Sequence, residues 1–171
     1  MIQIVKADVS HAKLLSTIGE RTFLDAHSHS APEADIKTYI AKTYAIETVV
    51  KELLQPENVY HILYYNNTLA GYSKIVCHSP NDHISSLNLT KLDRIYFLKE
   101  FHGLGLAKTL LNFNINLSKK HQQKGMWLAV WVDNFRAVNF YKKLGFTTVG
   151  EYYFRISKTH TNPNHVMYLE Y

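Results

Sequence analysis

The sequence predicts a single α/β or α+β domain built on a mixed sheet. Three observations support this prediction: a strand–helix–strand unit in the second half, a β-hairpin in the middle, and an amino-terminal strand followed by helices. The chain has 171 residues, close to the roughly 150 that one domain usually contains. Its 7 glycines and 4 prolines leave little material for a linker. We therefore expect one domain over residues 1–171.

The amino-terminal third is predicted to form a strand and then helices. Ile2–Lys6 has the pattern of a short strand, and Asp8 or Ser10 can cap the helix that follows. Pro32 begins a second helical region, and Pro56 ends a third, short helical segment. The apolar positions with helical spacing are Ala12, Leu15, Ile18 and Phe23, then Ile36, Tyr39, Ile40 and Thr43, then Val49, Val50, Leu53 and Leu54.

A β-hairpin is predicted next, because two runs of β-branched and aromatic residues flank a short turn. The runs are Val59–Tyr65 and Leu69–Cys77, and the turn between them contains two asparagines, a residue type that tolerates positive φ angles. The polar stretch Ser79–Ser86 is predicted to be a loop.

The second half begins with the strand–helix–strand unit. Leu92–Leu98 and Met126–Val132 are the predicted strands, and a helix from about Leu104 to Gln122 joins them. A crossover of that length is typical of two parallel strands with a right-handed connection.

One more helix and two more strands are predicted to complete the chain. Asn134 or Asp133 can cap the helix, and Gly145 can end it in a left-handed conformation. The apolar stripe of the helix is Ala137, Phe140, Tyr141 and Leu144. The predicted strands are Phe146–Ile156 and His165–Tyr171, joined by a loop over Thr159–Asn164.

Composition and charge argue against several classes of function. The formal charge of +5 is modest, and no zinc-binding spacing, RNA-binding strand or arginine-rich arm supports a nucleic-acid partner. The longest apolar run, Met126–Val132, is far shorter than the ~20 residues of a membrane span. The lone Cys77 fits a reducing compartment, and no metal-ligand spacing joins the histidines. We expect a cytoplasmic protein without a metal or a membrane partner.

A glycine-containing turn, His102–Lys108, lies where the first strand of the unit leads into its helix. The first N–H groups of a helix have no internal partner and carry the positive end of its dipole, so the turn suits a phosphate. It is neither a dinucleotide-binding fingerprint, which needs a third glycine at Lys108, nor a Walker loop, which needs a glycine directly before that lysine. A tight turn without a ligand is the alternative.

Two motifs resemble signatures of the GNAT superfamily of acetyl-CoA-dependent N-acetyltransferases, in the order and spacing of that family. They are His102-x-x-Gly105-x-Ala107 after Arg94-Ile95-Tyr96-Phe97, and the block with Asn134, Ala137, Phe140-Tyr141 and Leu144-Gly145-Phe146. Further segments are similar to the PaiA-type spermidine/spermine acetyltransferases. They are Thr22-Phe23, Ala70-Gly71-Tyr72, Arg94-Ile95-Tyr96, Trp127-Leu128, Val130-Trp131 and Phe140-Tyr141-Lys142-Lys143.

The resemblance implies a mostly antiparallel sheet whose one parallel strand pair splays apart, flanked by helices. It implies acetyl-CoA as co-substrate, with pantetheine against the first parallel strand, pyrophosphate on the turn, and a strand N–H at Ile95 or Tyr96 as oxyanion donor. The implied cofactor-binding residues are Ile95, Tyr96, Phe97, His102, Gly103, Leu104, Gly105, Leu106, Ala107, Lys108, Asn134, Tyr141 and Lys143.

The resemblance also bears on the two proton steps of acetyl transfer. Tyr141 aligns with the tyrosine that protonates the leaving thiolate in many members, although it can also be a core residue. Many members have a glutamate base where this chain has Lys91. Asp93 is the substitute candidate, as base or ammonium anchor, and an ion pair with a neighbouring cation is its alternative. A water chain is a further candidate base. The acceptor side of the cleft can be lined by Asp25, His27 and His29.

The predicted acceptor is a small-molecule primary amine, with a polyamine such as spermidine or spermine as the first choice. Protein amino groups and aminoglycosides are alternative acceptors. A non-catalytic acyl-CoA-binding regulatory module is the alternative outside the enzyme class, because Lys91 and His102 depart from the family pattern. The histidine at position 102 removes a long side-chain donor, and we expect this departure to affect the affinity for coenzyme A. The acids near the expected cleft are few: Glu20, Asp25, Glu33, Asp35 and Asp93. A homodimer is a family expectation.

Overall fold

A seven-stranded sheet forms the centre of the computed structural model, which describes residues 1–171. Its strands are β1 (Ile2–Lys6), β2 (Asn58–Tyr65), β3 (Thr68–Val76), β4 (Leu89–Phe97), β5 (Gly125–Trp131), β6 (Thr147–Arg155) and β7 (Thr161–Glu170). The helices are α1 (Ala12–His27), α2 (Glu33–Thr43), α3 (Ile46–Leu53), α4 (Leu106–Lys120) and α5 (Phe135–Lys143). The strand order is β1-β2-β3-β4-β5-β7-β6, and only β4 and β5 are parallel. The predicted mixed, mostly antiparallel sheet is confirmed.

Short-range signals in the sequence set the ends of several elements. The Asp8 carboxylate accepts from the Ser10 N–H at 2.9 Å and caps a 3₁₀ turn that leads into α1. Asn66 and Asn67 have φ angles of 48° and 61° in the β2–β3 hairpin turn. Asn134 caps α5, since its Oδ1 accepts from the Ala137 N–H at 3.1 Å. Each of these residue types favours the conformation that it adopts.

The helices cover opposite faces of the sheet. Alternate residues of a strand point to opposite faces, and β2 follows this rule. Tyr60 and Ile62 pack in a cluster with α1 and α3, whereas Leu63 packs in a cluster with α4. Helix α5 packs against β5 through Val138 and Tyr141 in the largest cluster, which also contains α4 residues. The sheet therefore separates α1 and α3 from α4 and α5.

Three predicted element starts were wrong. Strand β4 begins at Leu89 rather than Leu92, and the three added residues are the ones that pair in parallel with β5. Helix α4 begins at Leu106 rather than Leu104, because Gly105 has a φ angle of 75° and cannot continue a right-handed helix. Strand β7 begins at Thr161, so most of the predicted Thr159–Asn164 loop is strand paired with β6 and, at Asn164, also with β5. Proline and asparagine are typical of loops, but here pairing on both sides outweighs that local preference.

Candidate active site

A gap opens between the two parallel strands. β4 and β5 are paired only where Leu89–Lys91 faces Gly125–Trp127. β4 continues to Phe97 in pairing with β3, so its other edge has no strand partner beyond Lys91. Buried main-chain N–H and C=O groups need hydrogen-bond partners. The predicted splay is thus present, and Ile95, Tyr96 and Phe97 lie in the unpaired stretch.

The turn after β4 presents a row of free N–H groups. None of the N–H groups of residues 103–108 donates to another main-chain group, and the first N–H of α4 that does so belongs to Thr109, which bonds to the Gly105 carbonyl at 3.2 Å. Gly103 and Gly105 have φ angles of 83° and 75°, and a Cβ on either would meet no atom within 4 Å. Open space beside six unpaired donors is a suitable site for an anion.

No acidic residue lies in the first turn of α4 or of α5. Acids are favoured at helix amino termini because they complement the positive end of the dipole. Lys108 is exposed in the first turn of α4 and has no ion-pair partner, and Lys143 is exposed near the end of α5. We call the His102–Lys108 turn and the first turns of α4 and α5 the cofactor side.

Tyr141 lies in the core beneath this region, on α5. Its ring contacts those of Phe140 and Phe146, with centroids 5.2 Å and 5.6 Å away. Burial raises the pKa of the Tyr141 hydroxyl, so it stays protonated at neutral pH. Gly145 follows α5 with a φ angle of 92°, which confirms the predicted left-handed stop. The catalytic part of Tyr141 stays a prediction.

Asp93 lies in an ion-pair network on the face of α1 and α3. Its carboxylate is 2.7 Å from Lys91 Nζ and 3.1 Å from Lys74 Nζ, and the Arg94 guanidinium is 3.8 Å away. Burial opposes ionisation, but the three cations outweigh it and lower the pKa of Asp93. A carboxylate so stabilised is a weak proton acceptor. The geometry therefore favours the ion-pair alternative for Asp93 over its use as a base.

The other half of this network is formed by residues that no sequence motif indicates. Glu52, on α3, accepts from Lys74 and from Arg94 at 2.9 Å each, and Tyr60 bonds to both Glu52 and Arg94. Lys74 stands within a run of apolar strand residues, and that was the only local signal for a buried charge. The ion-pair network comprises Glu52, Tyr60, Lys74, Lys91, Asp93 and Arg94.

His27, at the end of α1, bridges the two strands where they have separated. Its Nε2 is 3.3 Å from the Tyr96 hydroxyl on β4, and its ring centroid is 6.2 Å from that of Trp131 on β5. His29 also lies against Trp131, at 5.7 Å. Burial and then the neighbouring His29 lower the pKa of His27 to about 4, so its imidazole is neutral at physiological pH. With α1–α3 and the ion-pair network, these residues form the acceptor side.

Most acids that the sequence placed near the cleft already have partners. Asp25 pairs with Lys99 at 2.8 Å, Glu33 pairs with Lys37 at 2.6 Å, and Asp35 accepts from Ser157 at 3.1 Å. Asp93 lies in the ion-pair network, and Glu20 alone of the five has neither an ion pair nor a side-chain hydrogen bond. The acceptor side is therefore lined by aromatic rings and imidazoles more than by free carboxylates.

No cluster of three or more His, Cys, Asp or Glu side chains is arranged to hold a metal ion. None of the helices combines the length and the apolar character that a bilayer crossing requires.

Comparison with known proteins agrees with these features. A model of the acetyltransferase (GNAT) family matches residues 20–146. An uncharacterized N-acetyltransferase in the pepI 3′ region of Lactobacillus delbrueckii subsp. lactis is 26% identical over 153 residues, 90% of this chain and 88% of the relative. The spermine/spermidine N(1)-acetyltransferase of Bacillus subtilis is 28% identical over 90 residues, 52% of this chain and 59% of that protein. The structure of PaiA N-acetyltransferase from Thermoplasma acidophilum with coenzyme A superposes with a TM-score of 0.80 at 19% identity, covering 100% and 99% of the chains.

Proposed function

Because this chain belongs to the acetyltransferase (GNAT) family, we propose that it transfers the acetyl group of acetyl-CoA to a primary amine, by direct attack within a ternary complex. The observation that carries the proposal is a succession of unpaired main-chain groups, first along the edge of β4 beyond Lys91 and then at the N–H groups of residues 103–108. Pantetheine has amides for the first part, and pyrophosphate has acceptor oxygens for the second. The residues present therefore fit acetyl-CoA.

The chain's own contribution to the reaction is mainly positioning. We propose that main-chain groups of Ile95 and Phe97 pair with the amides of pantetheine, and that the N–H of Ile95 or Tyr96 stabilises charge on the attacked carbonyl oxygen. Bound acetyl-CoA supplies the acetyl thioester. Holding this group next to an amine converts a bimolecular reaction into a reaction within one complex, which contributes several kcal/mol, on the order of 7 or more in well-oriented cases.

Proton donor and proton acceptor would lie on opposite faces of the gap. Tyr141 is the proposed donor to the leaving sulfur. Its raised pKa keeps it protonated at neutral pH and also makes it a weak acid, so the transfer depends on the negative charge that develops on the sulfur as the C–S bond breaks. His27 is the proposed acceptor of the amine proton, directly or through the Tyr96 hydroxyl. Its lowered pKa makes it a weak base, as Asp93 is, and it replaces Asp93 in that role because no ion pair engages its neutral imidazole. The amine attacks as the free base, after its ammonium group has lost one proton to solvent. As the C–N bond forms and the C–S bond breaks, one proton passes from the amine nitrogen to His27 and one from Tyr141 to the sulfur, and solvent restores both groups.

A polyamine acceptor is the finer proposal. The name of the Bacillus subtilis relative supports it, over half of the chain. Aromatic rings on the acceptor side can attract ammonium groups through their faces. Because most nearby acids are already paired, a polyamine would be held with few direct carboxylate contacts, and we expect weak discrimination between polyamines and aromatic monoamines.

The test is release of free coenzyme A from acetyl-CoA across an amine panel, with product masses measured. The panel contains spermidine, spermine, 2-phenylethylamine, an aminoglycoside and a lysine peptide with a free amino terminus. The proposal expects an acetylated product from at least one amine. Coenzyme A binding without turnover of any amine would instead support the non-catalytic acyl-CoA-binding module. Turnover of other amines but not of spermidine or spermine would remove the polyamine part alone.

Location and assembly are separate proposals. A cytoplasmic location and a homodimer stay predictions. Light scattering on the purified chain tests the homodimer, with a monomeric mass as the contradicting result.

A further inference from the structure

His102 stands where the family signature has a long side-chain donor, and both of its ring nitrogens are engaged within the chain. Nε2 lies 3.0 Å from the Phe97 carbonyl oxygen, at the end of β4. Nδ1 lies 3.0 Å from Nη1 of Arg136, in the first turn of α5. The histidine thus connects the unpaired strand to the second motif.

The proton positions in this pair follow from chemistry. A guanidinium can only donate, so Nδ1 of His102 is the acceptor for Arg136. A carbonyl oxygen can only accept, so Nε2 carries the hydrogen and donates to Phe97. The imidazole is therefore neutral in this arrangement, and it orients the guanidinium without neutralising it.

The charge of Arg136 has no partner in the chain. No carboxylate lies within 4.0 Å of it, and its only side-chain hydrogen bond is the one to His102. One of its five N–H groups is used, so four remain for a ligand. The His102 side chain places this guanidinium next to the turn of residues 103–108, whose N–H groups are also free. Arg136 is exposed, and a guanidinium oriented by one hydrogen bond beside unpaired N–H donors is suited to phosphate oxygens.

We propose that Arg136, held by His102, is a phosphate-binding residue of the coenzyme A site and takes the place of the long donor that the family signature has at position 102. The inference rests on the proposed function, since it assumes that the opening binds acetyl-CoA. His102 acts as a positioning residue, and Arg136 makes the contact. Arg136 on α5 then supplies the side-chain donor that position 102 lacks, so the histidine at that position does not weaken the site.

Calorimetric titration of Arg136→Ala with coenzyme A, 3′-dephospho-coenzyme A and pantetheine tests this inference. We expect a dissociation constant about tenfold higher for coenzyme A, as for loss of one charge-assisted hydrogen bond, and no change for pantetheine, which has no phosphate. An equal loss with 3′-dephospho-coenzyme A assigns the contact to the pyrophosphate. A loss confined to coenzyme A assigns it to the 3′-phosphate. Unchanged coenzyme A affinity would overturn the inference.

Matched variants distinguish a direct contact between Arg136 and a phosphate group from a general effect of positive charge on α5. Lys142→Ala removes one positive charge from the same helix, away from His102, and should change the affinity less than twofold. An equal loss in both variants would overturn the proposal. His102→Arg in the Arg136→Ala background should restore binding, because it returns the family's long donor. Thermal unfolding of each variant checks the fold. If the unaltered chain does not bind coenzyme A, the proposed function itself fails.

Discussion

The cofactor side and the acceptor side of the gap are built in different ways. On the cofactor side the groups proposed to bind the ligand are main-chain N–H groups in open space, at residues 103–108. On the acceptor side they are buried side chains, and the ion-pair network joins α3 to three strands. A main-chain site depends on local φ angles and small residues. A side-chain site depends on contacts between residues far apart in the sequence.

Their electrostatics differ as well. Lys108 and Arg136 on the cofactor side have no acidic partner, whereas nearly every charge on the acceptor side is paired within the chain. The unpaired cations of the cofactor side therefore suit an anionic ligand. The charges of the acceptor side nearly neutralise one another before any ligand binds. Substitutions on both sides and a change of pH test this contrast, from the largest expected effect to the smallest.

Asp93→Asn should have the largest effect, on stability. The change leaves Lys91 and Lys74 without their shared anion in a mostly buried setting, and breaking such a network costs about 3 kcal/mol. Urea unfolding at pH 7 measures the loss. The control is Asp82→Asn, since Asp82 is exposed and makes no ion pair, and it should change stability by less than about 0.5 kcal/mol. Equal stability of the two variants would mean that the network does not hold the acceptor side together.

Tyr141→Phe should lower kcat by about 100-fold, equivalent to about 2.7 kcal/mol. The change removes the proposed proton donor but keeps the ring that packs against Phe140 and Phe146. Coenzyme A affinity and the unfolding midpoint should stay nearly constant. Tyr153→Phe removes an exposed hydroxyl and serves as the control. Unchanged kinetics in Tyr141→Phe would remove this residue from the mechanism.

Stability should fall as the pH falls from 6.5 to about 4. Burial is the main cause that lowers the pKa of His27 and of His61 to about 4. A lowered pKa in the folded state means that the unfolded chain binds more protons between pH 6.5 and about 4. Each histidine therefore lowers the free energy of unfolding by on the order of 2 kcal/mol at the acid end of this range. Unfolding of His27→Asn and His61→Asn across this range should each show a flatter slope.

The two histidines lie on different sides of the sheet, so their kinetics should differ. His61 packs beneath α4, against Phe113, with a centroid distance of 4.8 Å. His27→Asn should lower kcat, whereas His61→Asn should leave it within about twofold. Equal kcat values for the two variants would contradict the proposed proton acceptor.

Gly105→Ala should have the smallest effect on stability, about 1 kcal/mol, because its φ angle of 75° is strained for any residue with a Cβ. It should also weaken coenzyme A binding several-fold, since the added methyl group occupies the open space beside the N–H groups. Gly145→Ala is the control. It carries similar strain, at a φ angle of 92°, but Gly145 follows the carboxyl-terminal end of α5, whereas the cofactor side includes only the first turn of that helix. It should lose stability and keep its coenzyme A affinity. Equal affinities would show that the space at Gly105 is not part of the site.

The cofactor side was predictable because its signals are local. Gly103 and Gly105 mark a turn that needs positive φ angles, and the strand before it and the helix after it have clear patterns. The acceptor side gave weaker signals. The helical pattern predicts only that Glu52 lies in a helix. Its partners Lys74 and Arg94 are 22 and 42 residues away in the sequence. No spacing rule connects residues at such separations.

By itself, the sequence determined the order of strands and helices, the parallel pair, the glycine-containing turn after β4 and the resemblance to the family. These features follow from short-range periodicity, from glycine conformation and from motif spacing. Only the tertiary structure decided that Asp93 is an ion-pair partner rather than a free base, that His27 bridges the separated strands, and that Arg136 stands beside His102. These outcomes depend on burial and on charges from distant segments, which change pKa values and fix side chains only after the sheet and helices have packed together.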